Sequence, residues 1–181
     1  MKAPYDLMFY YEKIKAGQDV KLRPYPWLPE TDIGDKIFAF LKAHVDRSKE
    51  ILEFGSGGST IWFARNAASV LAFEKDPFFH KLVTSEISRR RLTKRAEIVL
   101  NPDYPKNYKW GGRRFDFVLN DGINRQECAK MAVLLLKPRG LVICRDGDRT
   151  PIKRERKIYK TNGMKYIPII PGIRAAWRKP K

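Results

Sequence analysis

The chain has 181 residues, about one ordinary domain, and 43% of them are hydrophobic, which excludes a disordered tail protein. No run of 18 apolar residues occurs and the stretch from Met1 to Tyr10 has no apolar leader segment, so neither a membrane span nor a signal peptide is expected. The 37 basic residues outnumber the 20 acidic ones, and the net charge of +17 attracts polyanions or anionic substrates, although a solvated basic surface gives the same sum.

A short helix is expected around residues 7–15, then a proline-studded extended stretch at 23–29. Residues 1–26 read as an N-terminal extension and 27–181 as the domain. Thr31 or Asp32 can cap the next helix, whose Ile33, Ile37, Phe40, Leu41 and Val45 recur at helical spacing. From residue 49 onward, short apolar runs alternate with helical patterns. Strands are predicted at 51–54, 70–73, 98–100, 115–119 and 141–144. Helices are predicted at 59–67, 77–91 and 126–136, with a loop at 101–114 and a turn at 137–140. The tail offers a basic helix near 150–160 and strands at 165–170 and 173–177, joined by a Pro171-Gly172 turn. This alternation implies an α/β, doubly wound, mostly parallel sheet.

The charge is graded along this order. Residues 145–181 hold 12 basic and 3 acidic side chains, net +9, and no acid follows Glu155. Cys128 and Cys144 each lie in an apolar stretch and are too few for a disulfide framework, so both read as small buried hydrophobes in a reducing, cytoplasmic setting. His44 and His80 sit within predicted helices, away from the strand ends, and read as structural. The aromatic residues Tyr104, Tyr108 and Trp110 interleave with Lys106, Lys109, Arg113 and Arg114. Such a loop either stacks a base or sugar, or packs on the core as a lid.

Glu53-Phe54-Gly55-Ser56-Gly57-Gly58-Ser59-Thr60 follows the first strand and opens a helix. Glycines there let the backbone turn sharply and approach a ligand, and a helix N-terminus offers free N–H groups. Glu74 ends the second strand at a spacing from which an acid reaches ribose hydroxyls. NAD fits poorly, because Thr60 stands where its fingerprint places a third glycine. ATP fits poorly because no lysine is near. A carboxylate at Glu53 would repel a pyrophosphate but could pair with a cationic amino group.

The segment Ile51–Thr60 resembles motif I of the class I S-adenosylmethionine-dependent methyltransferases. Phe73-Glu74-Lys75-Asp76 is similar to the acidic end of their second strand, and Phe115–Gly122 to their fourth strand. Leu136-Lys137-Pro138-Arg139-Gly140 is similar to the lead-in to their fifth strand, with Arg139 where glycine is usual. Gly172–Arg178 resembles their antiparallel seventh strand. The resemblance spans about residues 27–178 and implies a seven-stranded, mostly parallel sheet with an antiparallel C-terminal hairpin strand. It implies that Gly55, Ser56, Gly57 and Ser59 surround the methionine part of S-adenosylmethionine, with Glu53, Gly58 and Thr60 completing the loop. It further implies that Glu74 holds the ribose, that Lys75 and Asp76 flank the adenine, and that Asn120 and Asp121 border the cofactor.

Subclasses are narrowed by elimination. Asn101-Pro102-Asp103-Tyr104 follows the third strand, whereas the DNA amino-methylating motif follows the fourth, so it reads as a turn. Asn120-Asp121-Gly122 supplies no thiol for cytosine-C5 chemistry. The ribose 2′-O tetrad lacks its last glutamate. Asp121, Asp146 and Asp148 could hold a hard cation, but they read better as loop or hydroxyl-binding acids, so no metal is expected. The run Asp121–Cys128, with Arg145-Asp146 and Arg149, resembles a poorly described methyltransferase branch, which points to Asp121, Arg125, Asp146 and Arg149 as the catalytic set. A carboxylate there can take a hydroxyl proton, and arginines can clamp an anion. The expected activity is O-methylation of a hydroxyl-bearing, anionic small molecule or glycan. The alternatives are an RNA or other nucleic-acid methyltransferase working through the basic C-terminal surface, and a non-catalytic cofactor- or polyanion-binding module.

Overall fold

In a computed structural model of the chain, residues 32–144, 150–170 and 174–181 are described, together with Lys13, Ala16 and Gln18. The expected helix at 7–15 apart from Lys13, the stretch at 23–29, the limits of the N-terminal extension, the end of the fifth strand from Arg145 to Arg149, and the Pro171-Gly172 turn all lie outside the described residues. The order is α1 (Asp32–His44), β1 (Glu50–Phe54), α2 (Gly58–Asn66), β2 (Ser69–Glu74), α3 (Pro77–Arg89) and β3 (Ala96–Leu100). There follow β4 (Phe115–Asn120), α4 (Arg125–Leu135), β5 (Leu136–Cys144), α5 (Thr150–Thr161), β6 (Lys165–Ile170) and β7 (Arg174–Arg178).

The seven strands form one sheet in the order β3-β2-β1-β4-β5-β7-β6. The pairings from β3 through β5 are parallel, and β7 runs antiparallel between β5 and β6. The expected doubly wound sheet with its antiparallel C-terminal hairpin is therefore present. Phe54 pairs with Asn120 and Asn120 with Cys144, so the C-terminal ends of β1, β4 and β5 lie level at one edge. In a sheet of this kind that edge is where ligands bind.

Helices cover both faces, so the central strands are buried on both sides and read as continuous apolar runs. Ile51, Val70, Ala72, Phe117, Leu119 and Ile143 pack on one face with Ile61, Phe63 and Val83. Leu52, Phe54, Leu71, Phe73, Val118 and Val142 pack on the other with Cys128, Ala132, Tyr159 and Trp177. Both cysteines are free and buried, as their apolar neighbours imply.

Most predicted bounds shift by one or two residues, and two of the departures have a clear physical reason. The 137–140 turn is instead a bulge inside β5: Phe115 pairs with Leu136 and Phe117 with Leu141, so the intervening residues loop out without ending the strand. Arg139 takes φ +64° there, the left-handed conformation that glycine adopts more readily. β3 starts at Ala96, two residues early, because it is an edge strand on which the exposed Glu97 is tolerated and pairs with Arg113 at 2.8 Å. Among the described residues, no helix is long and apolar enough to cross a membrane.

Candidate active site

The glycine loop joins β1 to α2 at the C-terminal edge of the sheet. Gly55 takes φ +104°, and its N–H donates to the Phe73 carbonyl at 2.9 Å, which fixes the loop against β2. A side chain added at Gly57 would meet nothing within 4 Å, so the loop faces open space just before α2 begins. That open, glycine-lined face over a helix N-terminus fits a bound group that approaches the backbone closely.

Glu74 organises the loop from the neighbouring strand. One of its oxygens accepts from the Ser56 N–H at 3.1 Å and the Ser56 hydroxyl at 2.9 Å. The other accepts from the Lys75 and Asp76 N–H groups at 2.9 and 3.0 Å. Glu74 is buried, while Lys75 and Asp76 are exposed beside it. Asp76 also caps α3, its Oδ1 accepting from the Phe78 and Phe79 N–H groups at 2.8 and 3.2 Å.

Glu53 turns the other way. It is buried, with its carboxylate accepting from the Ser59 hydroxyl and from the Thr60 hydroxyl, the latter at 2.7 Å. Thr60 Oγ1 accepts in turn from the Gly57 N–H at 2.9 Å. Burial pushes the Glu53 carboxyl up to about 8 against these two hydroxyl bonds, with the Asp121 and Glu74 carboxylates adding to the rise. The Ser59 and Thr60 side chains thus brace the loop through Glu53, and the loop's outer surface is built from Gly55, Ser56, Gly57 and Gly58.

Asp121 follows β4 directly, its N–H donating to the Phe54 carbonyl at 3.1 Å, so it sits beside the glycine loop. Its Oδ1 lies 3.9 Å from Arg125 Nη2, and the Arg125 Nε donates to the Gly122 carbonyl at 3.1 Å. Gly122 is obligatory here: a Cβ at this position would come within 2.0 Å of the Tyr104 hydroxyl and 2.9 Å of the Phe54 carbonyl. Tyr104 is buried, accepts from the Ile123 N–H at 3.0 Å, stacks on Phe54 and lies tilted against Phe73. Tyr108 and Trp110 pack edge-on and tilted against Phe73. Core packing, one of the two expectations for this loop, is present, with Tyr108 and Trp110 half-buried against the core.

Asn120 is fully buried and faces α5. Its Nδ2 donates to the Arg125 carbonyl at 3.1 Å and to Glu155 Oε2 at 3.4 Å. Glu155, Tyr159 and Cys144 complete a buried polar cluster, in which the Cys144 thiol donates to the Tyr159 hydroxyl at 3.4 Å. Asn120 Oδ1 and Glu155 Oε1 have no hydrogen-bond partner among the described residues. Burial pushes the Glu155 carboxyl up to about 7, opposed by the Cys144 thiol and the Arg125 charge. Sequence reasoning missed this cluster. The signal was the spacing of Glu155 and Tyr159, four residues apart and hence on one helix face.

The predicted site residues Asp121 and Arg125 are therefore brought together beside the loop, while Asp146 and Arg149 lie outside the described residues. The histidines stand apart: His44 bonds the Phe40 carbonyl at 2.8 Å and His80 the Ile98 carbonyl at 3.1 Å. Among the described residues, no group of three His, Cys, Asp or Glu side chains is placed to hold a metal ion.

Comparison with known proteins locates the architecture. No family model matches the chain, and no curated protein matches it. Solved structures do match. An S-adenosylmethionine-dependent O-methyltransferase from Thermotoga maritima superimposes with TM-score 0.67 at 16% identity, covering 94% of this chain and 71% of that one. The 16S rRNA N2 G1207 methyltransferase of T. thermophilus, solved with S-adenosylmethionine and guanosine, gives 0.64 at 14%, covering 86% and 44%. The [4+2]-cyclase SpnF gives 0.64 at 13%, covering 97% and 93%. At these identities the likeness concerns the fold, which hosts more than one chemistry.

Proposed function

From a chain with the class I methyltransferase fold, we propose an S-adenosylmethionine-dependent enzyme that methylates a hydroxyl oxygen on a small molecule or glycan. The observation that carries this reading is the placement of the Asp121 carboxylate beside the open glycine loop, with the Arg125 guanidinium next to it. The outer loop residues Gly55, Ser56, Gly57 and Gly58 and the Glu74 carboxylate would hold the cofactor. Lys75 and Asp76 would border its base, and Glu53, Ser59 and Thr60 would keep the loop in shape. When bound, S-adenosylmethionine supplies an electrophilic methyl carbon, which the acceptor oxygen takes as the carbon–sulfur bond breaks toward sulfur. Asp121 orients the acceptor hydroxyl and receives its proton. Arg125 holds Asp121 in place and attracts an anionic acceptor group. Much of the rate then comes from positioning.

A second reading, RNA as the acceptor, is favoured by the net charge of +17. Incubation with S-adenosylmethionine labelled in its methyl group, together with small-molecule, glycan or RNA fractions of a cell extract, separates the two. Label in the small-molecule or glycan fraction is the expected result. Label in RNA alone installs the second reading, and label in none leaves only a cofactor-binding module.

A further inference from the structure

At the opposite edge of the sheet from the glycine loop, a cleft of about 280 Å³ is lined by Arg139, Gly163, Lys165, Arg178, Lys179, Pro180 and Lys181. Five of these seven residues are cationic and none is acidic. The cleft lies at the N-terminal end of β5, which puts it roughly 15 Å from the Cys144 end of that strand at about 3.3 Å per residue. It is therefore a separate surface.

Its walls are held in place. The Arg139 N–H donates to the Lys179 and Pro180 carbonyls at 3.1 and 3.3 Å, and the Lys179 N–H donates to the Gly140 carbonyl at 2.9 Å. The chain beyond β7 is thereby laced to the β5 bulge. Lys179 Nζ donates to the Val133 and Leu136 carbonyls at 2.8 and 2.9 Å, residues outside the cleft lining, which anchors this wall to the end of α4 and the start of β5. Burial lowers the proton affinity of Lys179, and the neighbouring Arg114 adds to that.

Lys165 and Arg178 are direct register partners across the antiparallel β6–β7 pair, and like charges so placed repel. Among the described residues, no acidic side chain bridges Arg139, Lys165, Arg178 or Lys181. A multivalent anion seated between them would relieve this repulsion, and guanidinium groups favour the paired oxygens of phosphate. We propose that this cleft binds the phosphodiester backbone of single-stranded RNA, as a docking surface remote from the methyl-transfer site. The inference stands whichever acceptor is methylated.

The test uses the full chain and a fluorescently labelled single-stranded RNA of mixed sequence, with binding followed by anisotropy from about 50 to 200 mM salt. The double variant Arg139→Gln/Arg178→Gln keeps the side-chain lengths and removes two charges. Lys81→Gln/Lys94→Gln removes two charges from exposed lysines elsewhere. The cleft pair should bind RNA at least about tenfold more weakly, with the salt slope reduced by about 0.7 for each phosphate no longer neutralised. The control pair should stay within about twofold of the parent protein, where only the general field changes. S-adenosylhomocysteine affinity should not move in either variant, and the melting temperature of the cleft pair should not fall, since losing the Arg178 charge relieves its repulsion with Lys165, which keeps this outcome distinct from failure of the cofactor reading. Equal weakening by both pairs would mean that a diffuse field binds RNA, and would overturn the proposal. So would absence of RNA binding by the parent protein, or displacement of RNA by inorganic pyrophosphate at concentrations too low to act through ionic strength, which marks a site for a small phosphate compound.

Discussion

Asp121→Asn should slow methyl transfer by about 10²–10⁴-fold, the usual contribution of a positioned general base, while S-adenosylhomocysteine affinity stays nearly unchanged. The carboxylate stands immediately beyond β4, at the strand edge where ligands of open α/β sheets bind. Its backbone N–H is tied to the Phe54 carbonyl, so the substituted residue keeps its position. A purely structural role as the cap of α4 does not fit. Asn124 occupies the cap position with φ +50°, and α4 has no side-chain cap bond. Melting temperature measured alongside turnover separates the two roles. Full turnover in the variant would remove Asp121 from the chemistry and shift attention to Asp146 after β5.

Glu155→Gln should flatten the fall in stability between about pH 4.5 and 7. The Glu155 carboxyl is held up near 7 in the fold against a usual 4.5, chiefly by burial. A group whose proton is bound more tightly in the folded state stabilises below its unfolded pKa, and that contribution is lost as pH rises through the folded one. At pH 8 the variant should therefore be more stable than the parent, by at most about 3 kcal/mol, since a tenfold change in proton affinity corresponds to about 1.4 kcal/mol. At pH 4 the difference should vanish. Glutamine also brings a donor into a cluster where Glu155 Oε1 and Asn120 Oδ1 are both unpartnered acceptors among the described residues. Glu53, held up near 8, drives the same trend in both proteins and cancels in the comparison. Identical chemical-denaturation profiles from pH 4 to 8 would show that Arg125 and Cys144 hold Glu155 ionised in spite of its burial.

The sheet was legible in the sequence because its central strands are buried on both faces. Val70–Phe73 therefore reads as a continuous apolar run and Ile51–Phe54 as one broken only by Glu53, and the glycines after β1 mark a connection that turns sharply. The same pattern puts Glu74 at the end of β2 and Asp121 just beyond β4. The inward turn of Glu53 was not legible, because a carboxylate at a loop mouth reads as ligand-facing until the hydroxyls of Ser59 and Thr60 are seen to take it. Tyr104 was hidden in a turn-like Asn-Pro-Asp-Tyr run, yet it fills the space that Gly122 leaves open. Glu155 was hidden in a strongly basic helix, where a lone acid reads as solvated, whereas the fold turns it inward against Asn120. The Tyr104 and Glu155 contacts join residues distant in the chain, and the Glu53 contact spans a strand-to-loop-to-helix turn, so neither strand nor helix spacing encodes them.

Titration calorimetry with S-adenosylhomocysteine tests most directly whether the glycine loop and Glu74 hold S-adenosylmethionine. The protein should bind the nucleoside and not NAD. Glu74→Ala should weaken that binding by about 1–3 kcal/mol, the scale for losing hydrogen bonds to a charged group. Tight binding of NAD with no heat from S-adenosylhomocysteine would contradict the assignment of this loop to the sulfonium cofactor.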